Sequence, residues 1–169
     1  MNEALRKARE ILADVTPLKK DCGRVCGGRC CAPLEGEDTG MLLFPGEEEG
    51  YQNREGWTIR ETPMGKLAVC PGHCDREDRP LACRLFPLLP VLSDSCPGRI
   101  RVKVDQRSYA VCPLAGQGKT AMLPAFTEAV RLAGEELLKD GEQKDFLLRL
   151  SWEQEEWECL RKRWRDGNV

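Results

Sequence analysis

Nine of the chain's ten cysteines lie between Cys22 and Cys112, and this is where its chemistry is concentrated. The run Cys22-Gly-Arg-Val-Cys26-Gly-Gly-Arg-Cys30-Cys31 is followed by Cys70-Pro-Gly-His73-Cys74 and then by Cys83, Cys96 and Cys112. Thiolates are soft, strong ligands: four close a tetrahedron around Zn²⁺, and four commonly hold one iron–sulfur cluster. Nine such ligands can serve two centres. A lone cysteine is most simply a small buried hydrophobe. Four within ten residues, set among Gly and Arg with Val25 as the one apolar neighbour, do not fit that reading. Glycines 23, 27, 28 and 72 let the backbone approach a cluster and turn amide N–H groups toward sulfur. No Cys-x2-Cys step occurs, which disfavours zinc knuckles, while gaps of three and an adjacent pair suit irregular cluster loops. The expectation is one or two cysteine-ligated centres, 4Fe–4S favoured and Zn²⁺ the alternative. The expected ligands are Cys22, Cys26, Cys30, Cys31, Cys70, Cys74, Cys83, Cys96 and Cys112.

Other residues rank below these. His73 is the sole histidine, which argues against catalysis by a histidine pair; it is a weaker ligand candidate than the cysteines beside it. Arg79 and Arg84 are placed to donate hydrogen bonds to sulfur or to backbone next to a cofactor, the plainer alternative being surface charge. Cys159 falls about two residues off the face of Trp157 and Trp164 and reads as a surface thiol. Glu47, Glu48 and Glu49 read as an acidic first helical turn, not an acid–base pair. The order Cys22, Cys26, Cys30 is superficially similar to a radical-SAM loop, but the second gap is three, not two. Gly116-Gln-Gly118-Lys119-Thr120 lacks the first glycine of a phosphate-binding loop, since Pro113 stands there, and reads as a linker. No catalytic motif is identified.

Residues 22 to 87 resemble the YkgJ-type cysteine-cluster family, described as zinc- or iron-chelating. Its pattern of two spaced cysteines before a Cys-Cys pair is similar to Cys22, Cys26 and Cys30-Cys31. Its later stretch is similar to Cys74-Asp-Arg-Glu-Asp-Arg79-Pro80-Leu-Ala-Cys83-Arg84-Leu-Phe86-Pro87. Family members have tighter gaps in the first part, and Cys70, Cys96 and Cys112 are not placed by the pattern. The resemblance implies metal chelation. A similar cluster accompanies methyl transfer in flagellin lysine methylases, but no methyl-donor motif is present here.

Several elements must position these residues. Leu5, Ala8, Ile11, Leu12 and Val15 recur at helical spacing before Pro17, which predicts a helix over 2–15. Trp57 to Arg60 and Lys66 to Cys70 flank Pro63-Met64-Gly65 as a hairpin, and Ile100, Val102 and Val104 alternate as a half-buried strand. Pro80 and Pro87 bracket one or two helical turns that carry Cys83 and aim its thiol inward. Residues 125–139 and 142–165 read as two helices broken at Asp140-Gly141. Phe146, Leu147, Leu150, Trp157, Leu160 and Trp164 form a core stripe on the second. The expected fold is α+β, a small irregular Cys-rich metal-binding core with short strands. The expected parts are an N-terminal helix (1–20), the cysteine-cluster domain (21–115) and a C-terminal helical pair packed on it (116–169).

Composition narrows the function. With 26 Lys+Arg against 28 Asp+Glu the net charge is −2, so electrostatic attraction to nucleic acid or anionic lipid is not expected. No stretch reads as a membrane span or secretory leader, and ten cysteines in a reducing cytoplasm point to metal or thiol chemistry more than to disulfides. A redox, sensing or structural role is expected, with a redox or protein partner; oligomeric state is open. The alternatives are a structural zinc module presenting its C-terminal helices to a protein, and a protein-modifying enzyme with the cluster as scaffold.

Overall fold

Asn2 accepts a hydrogen bond from the Leu5 N–H and so starts the first helix, α1 (Glu3–Ile11), which buries Leu5 and Ala8. The structure is a computed structural model that describes residues 1–32, 40–72, 74–93 and 96–167, the side chains of 96 and 97 excepted. The helix stops earlier than its apolar spacing predicts. Arg76 secures the segment beyond its end: its guanidinium donates to the carbonyls of Leu12, Ala13 and Val15, which have no helical partner there.

Two small antiparallel sheets follow. β1 (Met41–Leu42), β2 (Thr58–Thr62) and β3 (Gly65–Val69) pair in the order β1-β3-β2, with the expected hairpin between the second and third. β4 (Leu88–Ser93) pairs with β5 (Cys96–Val104), where Ile100 and Val102 are buried and Arg101 is exposed. Between the sheets, Pro80 and Pro87 bracket the short helix that carries Cys83, numbered α3 (Leu81–Leu85) after α2 (Cys22–Cys26). Two longer helices, α4 (Pro124–Leu137) and α5 (Gly141–Arg165), complete an α+β fold. The Gly116–Thr120 stretch makes 3-10 turns leading into α4, in keeping with a linker. No helix among the described residues is long and apolar enough to cross a membrane.

One apolar cluster unites the elements. Leu5 and Leu12 share it with Leu81 and Leu85 of α3, Leu88 of β4, Phe126 of α4 and Phe146 of α5, and Phe44 sits edge-on to Phe146 with ring centroids 5.1 Å apart. α4 lies so close to the β4–β5 ribbon that a Cβ on Gly134 would stand 2.7 Å from the Pro90 side chain. Neither α2 nor the turn holding Cys30 and Cys31 buries a residue in this core. Polar links hold the neighbouring segment instead. Arg84, 8% exposed, donates to the carbonyls of Arg9, Glu77 and Arg79. Glu47, 2% exposed, accepts from Arg9 and from the N–H groups of Phe44 and Leu81.

The tryptophan stripe on α5 corrects the expectation. Phe146, Leu147 and Leu150 are buried, but Trp157 and Trp164 are 51% and 75% exposed, and Leu160 is exposed too. At about 100° per residue Trp157 and Trp164 do continue the Phe146 face to within about 20°. The body beneath simply ends. Ser151 accepts from the Leu92 N–H, Gln154 bonds Gln106 and Val104, and Gln154 is the last buried side chain. Periodicity reports which residues share a face, not whether anything covers it.

Glu47→Ala strands the Arg9 charge and two buried N–H donors at once. Urea unfolding should show a loss of about 3–5 kcal/mol. A loss below about 1 kcal/mol would show that the carboxylate does not hold these segments together.

Candidate metal centre

Eight cysteines from four separate stretches of chain line one cavity of about 700 Å³: Cys22, Cys26, Cys30, Cys31, Cys70, Cys74, Cys83 and Cys112. Each arrives by its own local device. Asp21 caps α2 by accepting from the Gly23 N–H, which sets Cys22 and Cys26 four residues apart on one face of a single turn. Gly27 and Gly28 then both take φ of +70°, a left-handed pair that reverses the chain and delivers Cys30 and Cys31 in a 3-10 turn. No protein atom stands within 4 Å of a Cβ built on either, so within the chain it is the left-handed turn that calls for glycine at these positions. Cys70 follows β3 directly, Cys83 rides on α3, and Cys112 donates its N–H to the Ser108 carbonyl at the end of a 3-10 turn.

The cavity wall also includes Trp57, Met41, Phe86 and Leu114, which give it an apolar side. Cys30 opens to solvent beside the exposed Arg24 and Arg29. The described cysteines are free thiols. Among the described residues, no three His, Cys, Asp or Glu side chains stand at the spacing of ligands around one ion. The sulfurs of Cys30 and Cys31 stand 3.9 Å apart.

Burial dominates the electrostatics. It pushes the Cys83 thiol well up, and charge on Cys31, Cys74 and Cys70 pushes the same way. Burial also raises Cys22 and Cys74. Arg79, on the cavity wall, opposes both rises. The Cys30–Cys31 contact, helped by Arg79, holds Cys31 below the ordinary thiol range, and the same contact together with burial holds Cys30 above it. The thiols share the cavity wall with the guanidiniums of Arg24, Arg29 and Arg79, and match a cation's charge by giving up their protons on binding it.

The other candidates divide. Arg79 pairs with Asp21 at 3.2 Å and lines the cavity. Arg84 binds backbone beside the Cys83 segment, one of the two roles expected of it, and its burial removes the surface-charge reading. Cys159 is exposed on α5, as its offset from the tryptophans predicts. His73 lies outside the described residues, as does the side chain of Cys96, whose backbone opens β5 opposite Ser93. Glu48 and Glu49 do form the acidic first turn of a 3-10 helix, with Glu47 at its N-cap, and the Glu47 carboxylate is in addition a buried strut that holds Arg9 and the Leu81 end of α3. Comparison with models of known families, with curated proteins and with solved structures found no match to this chain.

The Asp21–Arg79 pair is the direct link between α2 and the Cys74–Cys83 segment. Burial raises the Asp21 carboxyl, but Arg79 and the Gly23 N–H outweigh it and hold the group below its usual range. The sign follows: the link is present above the ordinary carboxylate pKa of about 4 and is lost as pH falls through the lower folded value. Asp21→Asn keeps a capping side chain and removes the charge. Amide exchange across 22–31, corrected for intrinsic rate, should therefore quicken at neutral pH in the variant and only below about pH 4 in the parent. Equal protection at neutral pH would remove the ion pair from this account.

Proposed function

We propose that the chain is an iron–sulfur protein in a reducing, cytoplasmic setting, holding one or two 4Fe–4S centres with a redox or sensing role. The observation that carries this reading is the convergence of eight thiols from four stretches on one cavity. Its size favours a cluster over a lone ion. A single water needs on the order of 15 Å³ of such space, and this cavity offers about 700 Å³. Cysteine reaches a bound body by rotation about one side-chain bond, so thiols that line the wall can close on it without moving the backbone. The resemblance of residues 22 to 87 to the YkgJ-type family supports the same reading.

When bound, such a cluster supplies one-electron transfer at a potential set by its charge, hydrogen bonding and exposure. The residues here act on each of these. Arg79 offsets thiolate charge, Trp57 and Phe86 keep one side of the cavity apolar, and the exposed Cys30 leaves another side within reach of a partner. That exposure favours exchange or sensing over a purely structural role. The exposure of Trp157 and Trp164 supports a second reading, a zinc module whose α5 face meets a protein partner.

Anaerobically purified protein should be brown, absorb near about 400 nm and contain acid-labile sulfide. Colourless protein with zinc and no sulfide would replace the first reading with the second. Cys83→Ser and Cys30→Ser should each lose about half or more of the bound metal, whereas Cys159→Ser should keep the parent's content. Equal retention in all three would overturn the ligand assignment.

A further inference from the structure

The projecting end of α5 shows two patterns at once. Trp157, Leu160 and Trp164 follow one another at spacings of three and four, the seam of a two-helix coil, and all three are exposed. Gln154 is the last buried side chain of a helix that runs on to Arg165, so about 16 Å of it extends past the body. What touches the body there lies on another side. Arg161 stacks on Tyr109 and Glu158 pairs with Lys103, and the two stand about 60° and 120° round the helix from Trp164. The seam is open along the overhang.

Charge is divided along the same stretch. Glu153, Glu155, Glu156 and Glu158 come first, and Arg161, Lys162, Arg163 and Arg165 follow. Such a helix repels a parallel copy of itself, like block on like block, and attracts an antiparallel one, in which each acidic block faces a basic one. The flank of the seam turned away from the body holds Glu156 and Arg163, both exposed. They are about 10 Å apart along the axis, too far to pair within one helix. Both occupy the same flanking position of the repeat, where side chains of two antiparallel helices meet.

We propose that α5 is a dimerisation helix: two copies of this chain join antiparallel through their projecting ends, with Trp157 and Leu160 of each against the partner's Leu160 and the partner's Trp157. Trp164 closes each end of the seam, and Glu156 and Arg163 form two reciprocal ion pairs across it. The contact is isologous, so one self-complementary surface serves both copies. Pairing Trp157 with the partner's Leu160 brings the last turn of each helix to the place where the other enters its body, so the two overhangs match in length. Each helix is already formed by its buried half, so the contact does not have to nucleate it and a short seam suffices. An interface this small makes the dimer weak and concentration-dependent. No residue of α5 lines the thiol cavity, so the assembly stands whether or not metal binds.

The test is sedimentation of the full-length protein, anaerobic and with reductant so that the exposed Cys159 does not link copies. The parent should be dimeric at about 100 μM and dissociate on dilution. Trp157→Ala with Trp164→Ala should leave monomer throughout, and, since neither side chain is buried in the fold, its urea midpoint should match the parent's. Glu156→Arg or Arg163→Glu should each weaken association about tenfold, because the twofold turns one change into two like-charge pairs. Both changes together should bring it back to within about threefold of the parent, since opposite charges again face each other. A parent that is monomeric at about 100 μM would overturn the dimer and leave this face to a different protein. A dimer indifferent to the tryptophan changes would overturn the seam, and a double charge variant no tighter than the single ones would overturn the antiparallel pairing.

Discussion

Arginine bound to backbone carbonyl is the interaction on which this molecule's cysteine-rich half depends. α2 and the Cys30–Cys31 turn contribute nothing to the apolar core, so hydrophobic burial cannot order them. Arg76 gathers the carbonyls past the end of α1, Arg84 gathers those of Arg9, Glu77 and Arg79, and Arg79 itself reaches Asp21. A planar guanidinium satisfies several acceptors in fixed directions, which suits a segment with few side chains to pack. Through this chain of contacts, order passes from the core to α1, from α1 to the Cys74–Cys83 segment, and from there to α2.

Glu47 extends the same logic inward. Its carboxylate is taken out of water and compensated by Arg9 and two amides, so removing any partner exposes the cost of the rest. It also ties the start of α3 to the helix that Arg84 grips from the other direction. Cys83 therefore sits on a five-residue helix that is short on its own hydrogen bonds but held at both ends.

Much of the local structure is legible in the chain. The α1 stripe, the hairpin around Pro63-Met64, the proline brackets of α3 and the break at Asp140-Gly141 all rest on signals within a few residues. What the chain conceals is what depends on distant partners. Glu47 lies in a run of three glutamates, and its partners are 38 and 34 residues away, so nothing local distinguishes it from Glu48 or Glu49. Arg76 and Arg84 look like their neighbours for the same reason. Trp157 and Trp164 show the converse, a correct periodicity with no surface beneath it. At the site, the density of thiols points to their gathering on one cavity; the approach of the Gly72 turn to the Cys31 backbone is a distant contact that spacing does not encode.

The overhang of α5 carries a further consequence. Beyond Gln154 the helix meets the body through surface contacts such as the ion pair of Lys103 with Glu158 and the stacking of Arg161 over Tyr109, each worth about 1 kcal/mol or less. Shortening the helix there would forfeit little of the protein's cohesion, so its last three turns are nearly exempt from the demands of folding. Sequence drift in that stretch would go unpunished by instability, and two tryptophans retained there would be answering to some other selective pressure.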